Sequence, residues 1–191
     1  MTASMTRTIE GDTVPAVGTW SLDPSHTSIE FSVRHLGLAK VRGRFGSFTG
    51  QVVVADDPLR SSVEVDIDVT SIDTRDDKRD EHLRTNDFFS ATEFPKMTFA
   101  STSVSGGGSD WEVTGDLTIR GVTRQVTLDA TFEGTATDPW GGSRAAFSAT
   151  TEINREDFGM SWNAALEAGG VVVGKKVKIE IEAEVVLQVE V

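Results

Sequence analysis

The chain contains no cysteine. Disulfides, thiol nucleophiles and thiolate metal sites are excluded together. Histidine is almost as scarce, with only His26, His35 and His82. A three-histidine metal site would need all of them, and their spacing contains neither His-Glu-x-x-His nor a short histidine pair. Cations are outnumbered: 18 Lys and Arg against 30 Asp and Glu, so 18 − 30 = −12. A surface that negative repels phosphate backbones and anionic lipid heads, which argues against a nucleic-acid partner. No apolar run approaches the roughly 18 residues of a membrane helix, so stable membrane insertion is not expected. Residues 1–18 are Thr-rich with no apolar core of the secretory type, and the expected location is cytoplasmic. The five prolines (Pro15, Pro24, Pro58, Pro95, Pro139) fall between apolar-patterned segments, where they leave strand ladders intact.

Catalytic signatures are equally thin. No Gly-x-Ser-x-Gly elbow occurs: Gly106-Gly107-Gly108-Ser109 runs into Asp110, and Gly46-Ser47 into Phe48. No glycine-rich loop follows a strand and opens a helix, so a phosphate cradle is not indicated. The acidic pairs Asp56-Asp57 and Asp76-Asp77 sit where a turn and a helix start are expected, and solvated caps explain them. No catalytic residue, metal or cofactor is expected.

What the chain has is alternation. Residues 176–185 (KVKIEIEAEV) alternate apolar and charged side chains without a break. Successive side chains of a strand point to opposite faces, so one face is apolar and the other charged. The same period recurs at Ile29-Phe31-Val33, at Val63-Val65-Ile67-Val69 and at Val126-Leu128-Ala130-Phe132. Strands are expected at 18–22, 25–34, 41–54, 62–70, 96–103, 111–120, 124–133, 143–153 and 175–189, and residues 1–17 as a flexible tail before a domain spanning 18–191. Gly43, Gly46 and Gly50 in one strand point to bulges or strong coiling. The period changes at 76–84 (DDKRDEHLR), the best helix of the chain, with Thr74 as its expected cap. Residues 161–168 are read as a second short helix, C-capped by Gly169.

About eight strands joined by short turns are antiparallel neighbours. With one apolar face they close into an all-β barrel carrying one inserted α-helix, a β-sandwich being the alternative. An eight-stranded barrel is just wide enough to be filled by side chains or to hold one slim ligand. The inward candidates are Ile29, Phe31, Val33, Phe45, Phe48, Val65, Ile67, Phe99, Leu117, Ile119, Leu128, Phe132, Phe147, Ile179 and Ile181. Arg79, His82 and Arg84 on the helix, with His35 at a strand end, form a candidate polar rim. An ion-paired helix docked on the barrel is the plainer reading of the same cluster.

Four ordered segments resemble a known family. They are Trp20-x-Leu-Asp-Pro-x-His-Thr-x-Ile-x-Phe-x-Val-Arg-His-Leu-Gly; Val41-x-Gly-x-Phe-x-x-Phe-x-Gly50; Asp80-x-His-Leu-Arg-x-x-Asp-Phe-Phe89 followed by Phe94-Pro95; and Gly115-Asp-Leu-Thr-Ile-Arg-Gly-Val-Thr-Arg124 with Asn154-Arg-x-Asp-Phe-Gly-Met-x-Trp-Asn163. Together they resemble the YceI family of lipocalin-like, polyisoprenoid-binding proteins, from about Gly18 to Val189. The resemblance implies an extended antiparallel eight-stranded barrel, a helix packed at one end, and a homodimer. It also implies an isoprenoid or quinone-like lipid in an elongated internal channel, and it supplies no catalytic residues. Two further readings stand beside a lipid carrier. One is a ligand-free dimeric interaction or stress-response module. The other is an enzyme acting on a hydrophobic substrate through His35 or His82.

Overall fold

The computed structural model describes residues 5–167 and 169–188. Its strands are β1 (Thr6–Ile9), β2 (Asp12–Pro15), β3 (Gly18–Leu22), β4 (Ser28–His35), β5 (Ala39–Phe45), β6 (Phe48–Val54), β7 (Ser62–Asp68) and β8 (Ile72–Asp73). After the helix α1 (Asp77–Arg84) come β9 (Lys96–Gly107), β10 (Asp110–Ile119), β11 (Val122–Thr137), β12 (Ser143–Asn154) and β13 (Val173–Leu187).

These segments build eight wall positions, all antiparallel. The first is β3 with β4, two pieces of one path that both pair with β13. The second is β5 with β6, which pair with β4 and β3 respectively. The third is β7 with β8. From there β9, β10, β11, β12 and β13 follow in sequence order, and β13 returns to the first wall. The expected eight-stranded barrel is therefore closed.

The interruptions have local causes. Pro24, which cannot donate to a ladder, lies between β3 and β4, and Thr27 Oγ1 substitutes by donating to Glu184 O (3.1 Å). The second wall bends at Gly46-Ser47, where Gly46 N–H donates to Ser71 O. Beyond that bend the segment 39–43 of β5 pairs on one side only, with β4. The third wall ends at β8, which does not reach β9. The helix α1 and the loop 85–95 cover this part of the wall.

Three expectations are corrected. Residues 6–15, expected within a flexible tail, form the hairpin β1–β2, with Val14 only 3% exposed. Its two-residue loop has Glu10 and Gly11 at positive φ, the turn geometry that matches strand twist. Arg7 pins the hairpin to the barrel by donating to the carbonyl oxygens of Ala55 and Asp56.

The cap of α1 is Asp76, whose side chain accepts from Arg79 N–H, and not Thr74. Thr74 is buried and donates through its N–H and Oγ1 to the buried Asp80 carboxylate (2.9 and 2.6 Å).

The helix expected over 161–168 does not form at the described residues 161–167. Asn163 competes with the helical backbone by accepting from Val173 N–H (3.0 Å) and donating to Val173 O (2.7 Å). Gly169 and Gly170 both take positive φ and turn the chain into an Ala165–Val171 bridge.

Candidate functional site

Two apolar clusters fill the barrel. The smaller joins Trp20, Val54, Phe132, Ala145 and Val185, with Trp20 and Val185 fully buried. Trp20 Nε1 donates to Ala16 O, and the β1–β2 hairpin covers this end. The larger cluster runs from Ile29, Phe45 and Phe99 to Ile119, Ile153 and Met160. It encloses a cavity of about 290 Å³, at the lower edge of the roughly 300–1,000 Å³ typical of ligand pockets.

The cavity follows the pleat. On β13 its wall is Val173, Val177, Ile179, Ile181 and Ala183, while Lys178, Glu180, Glu182 and Glu184 occupy the alternate positions. On β12 it is Phe147, Ala149, Thr151 and Ile153; on β11, Val126, Leu128 and Ala130. Ten residue steps separate Val173 from Ala183, about 33 Å of strand, or about 25 Å of barrel axis at a tilt of roughly 40°. The cavity is thus elongated and lined from the hairpin end, where Val14 and Pro15 contribute, to the helix end, where Leu83, Phe88 and Phe89 contribute.

Close approach of side chains shapes this interior. Gly115 on β10 faces Phe99, and a Cβ there would lie 2.5 Å from the Phe99 ring and 2.6 Å from Ala100 O. The missing side chain makes room for the ring. Opposite, Phe31, Phe45 and Phe89 form a chain of ring contacts with centroids 5.7 and 5.9 Å apart.

Thirteen of the fifteen inward candidates line the cavity. Phe48 and Phe132 do not. Phe48 is buried within the larger cluster, and Phe132 packs against Phe147 and Trp20 in the plug at the hairpin end. The structure adds Met97, Val104, Trp111, Val113, Met160 and others. Val104 was hidden by a bulge opposite Thr114 and Gly115, which shifts the inward parity of β9 after Ser101. Leu83, Phe88 and Phe89 lie outside any strand pattern.

The four rim candidates lie off the cavity wall. Arg79 donates to Thr74 Oγ1 and Thr74 O, and Arg84 to Thr70 O and Ile72 O, so both clamp α1 to the third wall. His82 Nε2 lies 2.8 Å from Asp87 Oδ2, and its ring meets Phe88 and Trp162 edge-on. His35 is exposed at the end of β4. The helix is thus docked chiefly by arginine hydrogen bonds to Thr74 and to backbone carbonyls, and its ion pairs are the local Arg79–Asp76 and His82–Asp87.

Among the described residues, the only cation of the lining is Arg155, which is 3% exposed. Its guanidinium donates to the carbonyl oxygens of Gly174, Met160, Trp162 and Val173. Burial pulls its pKa down, and nearby Glu156 partly opposes that. Four carbonyl dipoles satisfy this side chain and tie the 160–174 loop to the end of β12.

One cluster has metal-like composition. Asp23, His26 and Glu184 bring ligand atoms within 4.8 Å of one another. Arg144 donates into the same space, 2.6 Å from Asp23, 2.5 Å from Glu184 and 2.9 Å from Asp138. The guanidinium already supplies the positive charge that a metal ion would bring.

A closed antiparallel barrel with an elongated apolar interior, plugged at one end and covered by a helix at the other, defines a lipocalin-like class of protein. The chain belongs to the YceI family, whose YceI-like domain model matches residues 20–185. A UPF0312 protein of Staphylococcus aureus strain MSSA476 is 41% identical over 171 residues, covering 86% of this chain and 95% of the relative. Among solved structures, a YCEI protein of Campylobacter jejuni superposes with a TM-score of 0.69 at 27% identity, covering 82% of this chain and 90% of its own. BcnA of Burkholderia cenocepacia gives 0.73 at 23%, with 85% and 98% covered. A polyisoprenoid binding domain from Saccharophagus degradans, implicated in plant cell wall breakdown, gives 0.68 at 16%, with 88% and 98% covered. The last two are likenesses of fold.

Proposed function

We propose that this protein binds a long-chain isoprenoid lipid, of polyprenyl or quinone type, or a similar amphiphile, and acts as its carrier or sequestering protein. The observation that carries this reading is the elongated cavity, whose described lining is apolar apart from a few residues such as Thr151 and Arg155. Burying a polyprenyl chain there releases roughly 25 cal/mol per Å² of apolar surface. Selectivity then comes from width and length, with few polar contacts. The polyisoprenoid-binding description of the Saccharophagus neighbour fits the same use of the fold.

A binding role is favoured over a catalytic one by what faces the cavity. Its titratable members among the described residues are Arg155, held by carbonyls, and Glu30, which is solvent-exposed. Neither His35 nor His82 contributes to the wall.

Native mass spectrometry with organic extraction tests the proposal. The expected spectrum shows a discrete adduct whose extracted mass carries isoprene spacing, either as purified or after incubation with polyprenyl lipids. Ala149→Trp, which projects a large ring into the channel, is expected to lower occupancy roughly tenfold or more, about 1.4 kcal/mol of affinity. An adduct-free spectrum after incubation, or full occupancy in the Trp variant, would refute it.

A further inference from the structure

The chain's negative charge is unevenly placed. Residues 31–55 contain Arg34, Lys40, Arg42 and Arg44 and no acidic residue; residues 169–179 contain three lysines and no acidic residue. Seven of the 18 cations therefore lie in two acid-free segments of a chain with 30 acids.

The fold brings these segments together. His35 of β4 pairs with Val173 of β13, and Leu36 N–H donates to Val172 O (2.9 Å). The β4–β5 turn and the 169–172 turn thus form one tip. It presents apolar side chains to solvent: Leu38 is 77% exposed, Val171 44% and Leu36 40%. Around them the cations divide into two kinds. Lys175, Lys176 and Lys178 pair with Glu156, Glu152 and Glu180, and Arg44 with Asp73. Arg34, Lys40 and Arg42 have no carboxylate within 4 Å among the described residues; Lys40 and Arg42 act on Glu180 only from a distance, and Arg34 donates to Leu38 O.

From this juxtaposition of exposed leucines with cations that make no contact ion pair among the described residues we infer that the tip docks on an anionic lipid surface. Leucine side chains enter the boundary between headgroups and acyl chains, while lysine and arginine meet the phosphates. The charge of the rest of the barrel, repelled by the same surface, orients the molecule tip-first. The tip adjoins the channel: Val33 and Val173 line it, and the one-sided segment 39–43 of β5 is part of the tip. Docking there places the helix end of the channel against the membrane. The surface stands independently of what the channel holds.

The test is co-sedimentation of the full-length protein with vesicles of phosphatidylcholine alone and of phosphatidylcholine with about one third phosphatidylglycerol. The expected result is binding to the anionic vesicles only, weakened by salt, and reduced roughly tenfold in Leu38→Glu and in Lys40→Glu. Both positions are solvent-facing, so unchanged thermal unfolding shows that the variants fold. Absence of binding to anionic vesicles overturns the inference, as does equal binding to neutral ones or by both variants. Sedimentation equilibrium accompanies it: a dimer that Leu38→Glu dissociates, with no vesicle binding, assigns the tip to a second copy and overturns the lipid surface. Lipid adducts in the channel without vesicle binding leave the carrier reading standing and defeat only the docking surface.

Discussion

Arg155 shows how one residue can position a whole end of the barrel. A charged side chain is seldom buried without a partner. Here the partners are four backbone carbonyls, those of Met160, Trp162, Val173 and Gly174. Replacing it by methionine keeps the volume and removes this donor from all four carbonyls, with Val173 O keeping only Asn163 Nδ2 among the side chains. Arg155→Met is expected to cost about 3 kcal/mol or more, read as a lower urea midpoint, because bonds to charged donors are worth roughly 1.5–3 kcal/mol each. An unchanged midpoint would mean that water replaces the guanidinium. Nothing in the alternation of residues 143–154 marks this arginine as buried. Its motif drew notice only through family resemblance, because the carbonyls it serves lie up to 19 positions away.

Among the elements, the junction of β3, β12 and β13 carries a charge network with a pH signature. Asp23 is held well below the usual carboxylate range, first by the Arg144 guanidinium and then by His26 and the Ser25 N–H. Asp138 is lowered chiefly by the Gly142 N–H and then by Arg144. A carboxyl depressed in the folded state contributes stability that is complete above its unfolded pKa, about 3.9, and is lost as pH falls toward the folded value. Stability is therefore expected to fall from about pH 4 downward, and Arg144→Met to flatten that fall. Urea midpoints of both proteins, at about pH 6 and about pH 3, check it: the gap between them narrows in acid. A gap that widens in acid would contradict the assignment. The β1–β2 hairpin has four-residue strands and a Glu-Gly turn, a weaker signal than Asn-Gly or Asp-Gly, and its inward residues are only Val14 and Pro15. A tail and a lid look alike at that length.

For the molecule as a whole, an elongated apolar cavity is a reservoir of unrealised stability. Filling it with a ligand that binds only the folded state stabilises by about 2.7 kcal/mol at a hundredfold excess over Kd. Thermal unfolding with a polyprenyl alcohol in detergent-matched buffer should rise by several degrees, and Ala149→Trp should lose most of that rise. An equal shift in both would place the lipid outside the channel.

The all-β class, the strands of the barrel wall and most of their inward face are legible in the sequence; the β1–β2 hairpin is not. Alternation is a local property, written two residues at a time, and Ile179, Ile181 and Phe99 announce their side of the sheet without reference to any partner. The acidic pairs at 56–57 and 76–77 are legible as caps near a turn and a helix start, but for α1 the sequence pointed to Thr74 where Asp76 does the capping. Other features depend on which strands meet. Closure by β13 on both β12 and the first wall, the bulge that turns Val104 inward and the plug that removes Phe132 from the channel are non-local. So is the tip, where two turns more than 130 positions apart share one hydrogen bond between Leu36 and Val172. Register and closure are set by the sum of many weak pairings around the barrel, and no window of the chain contains that sum.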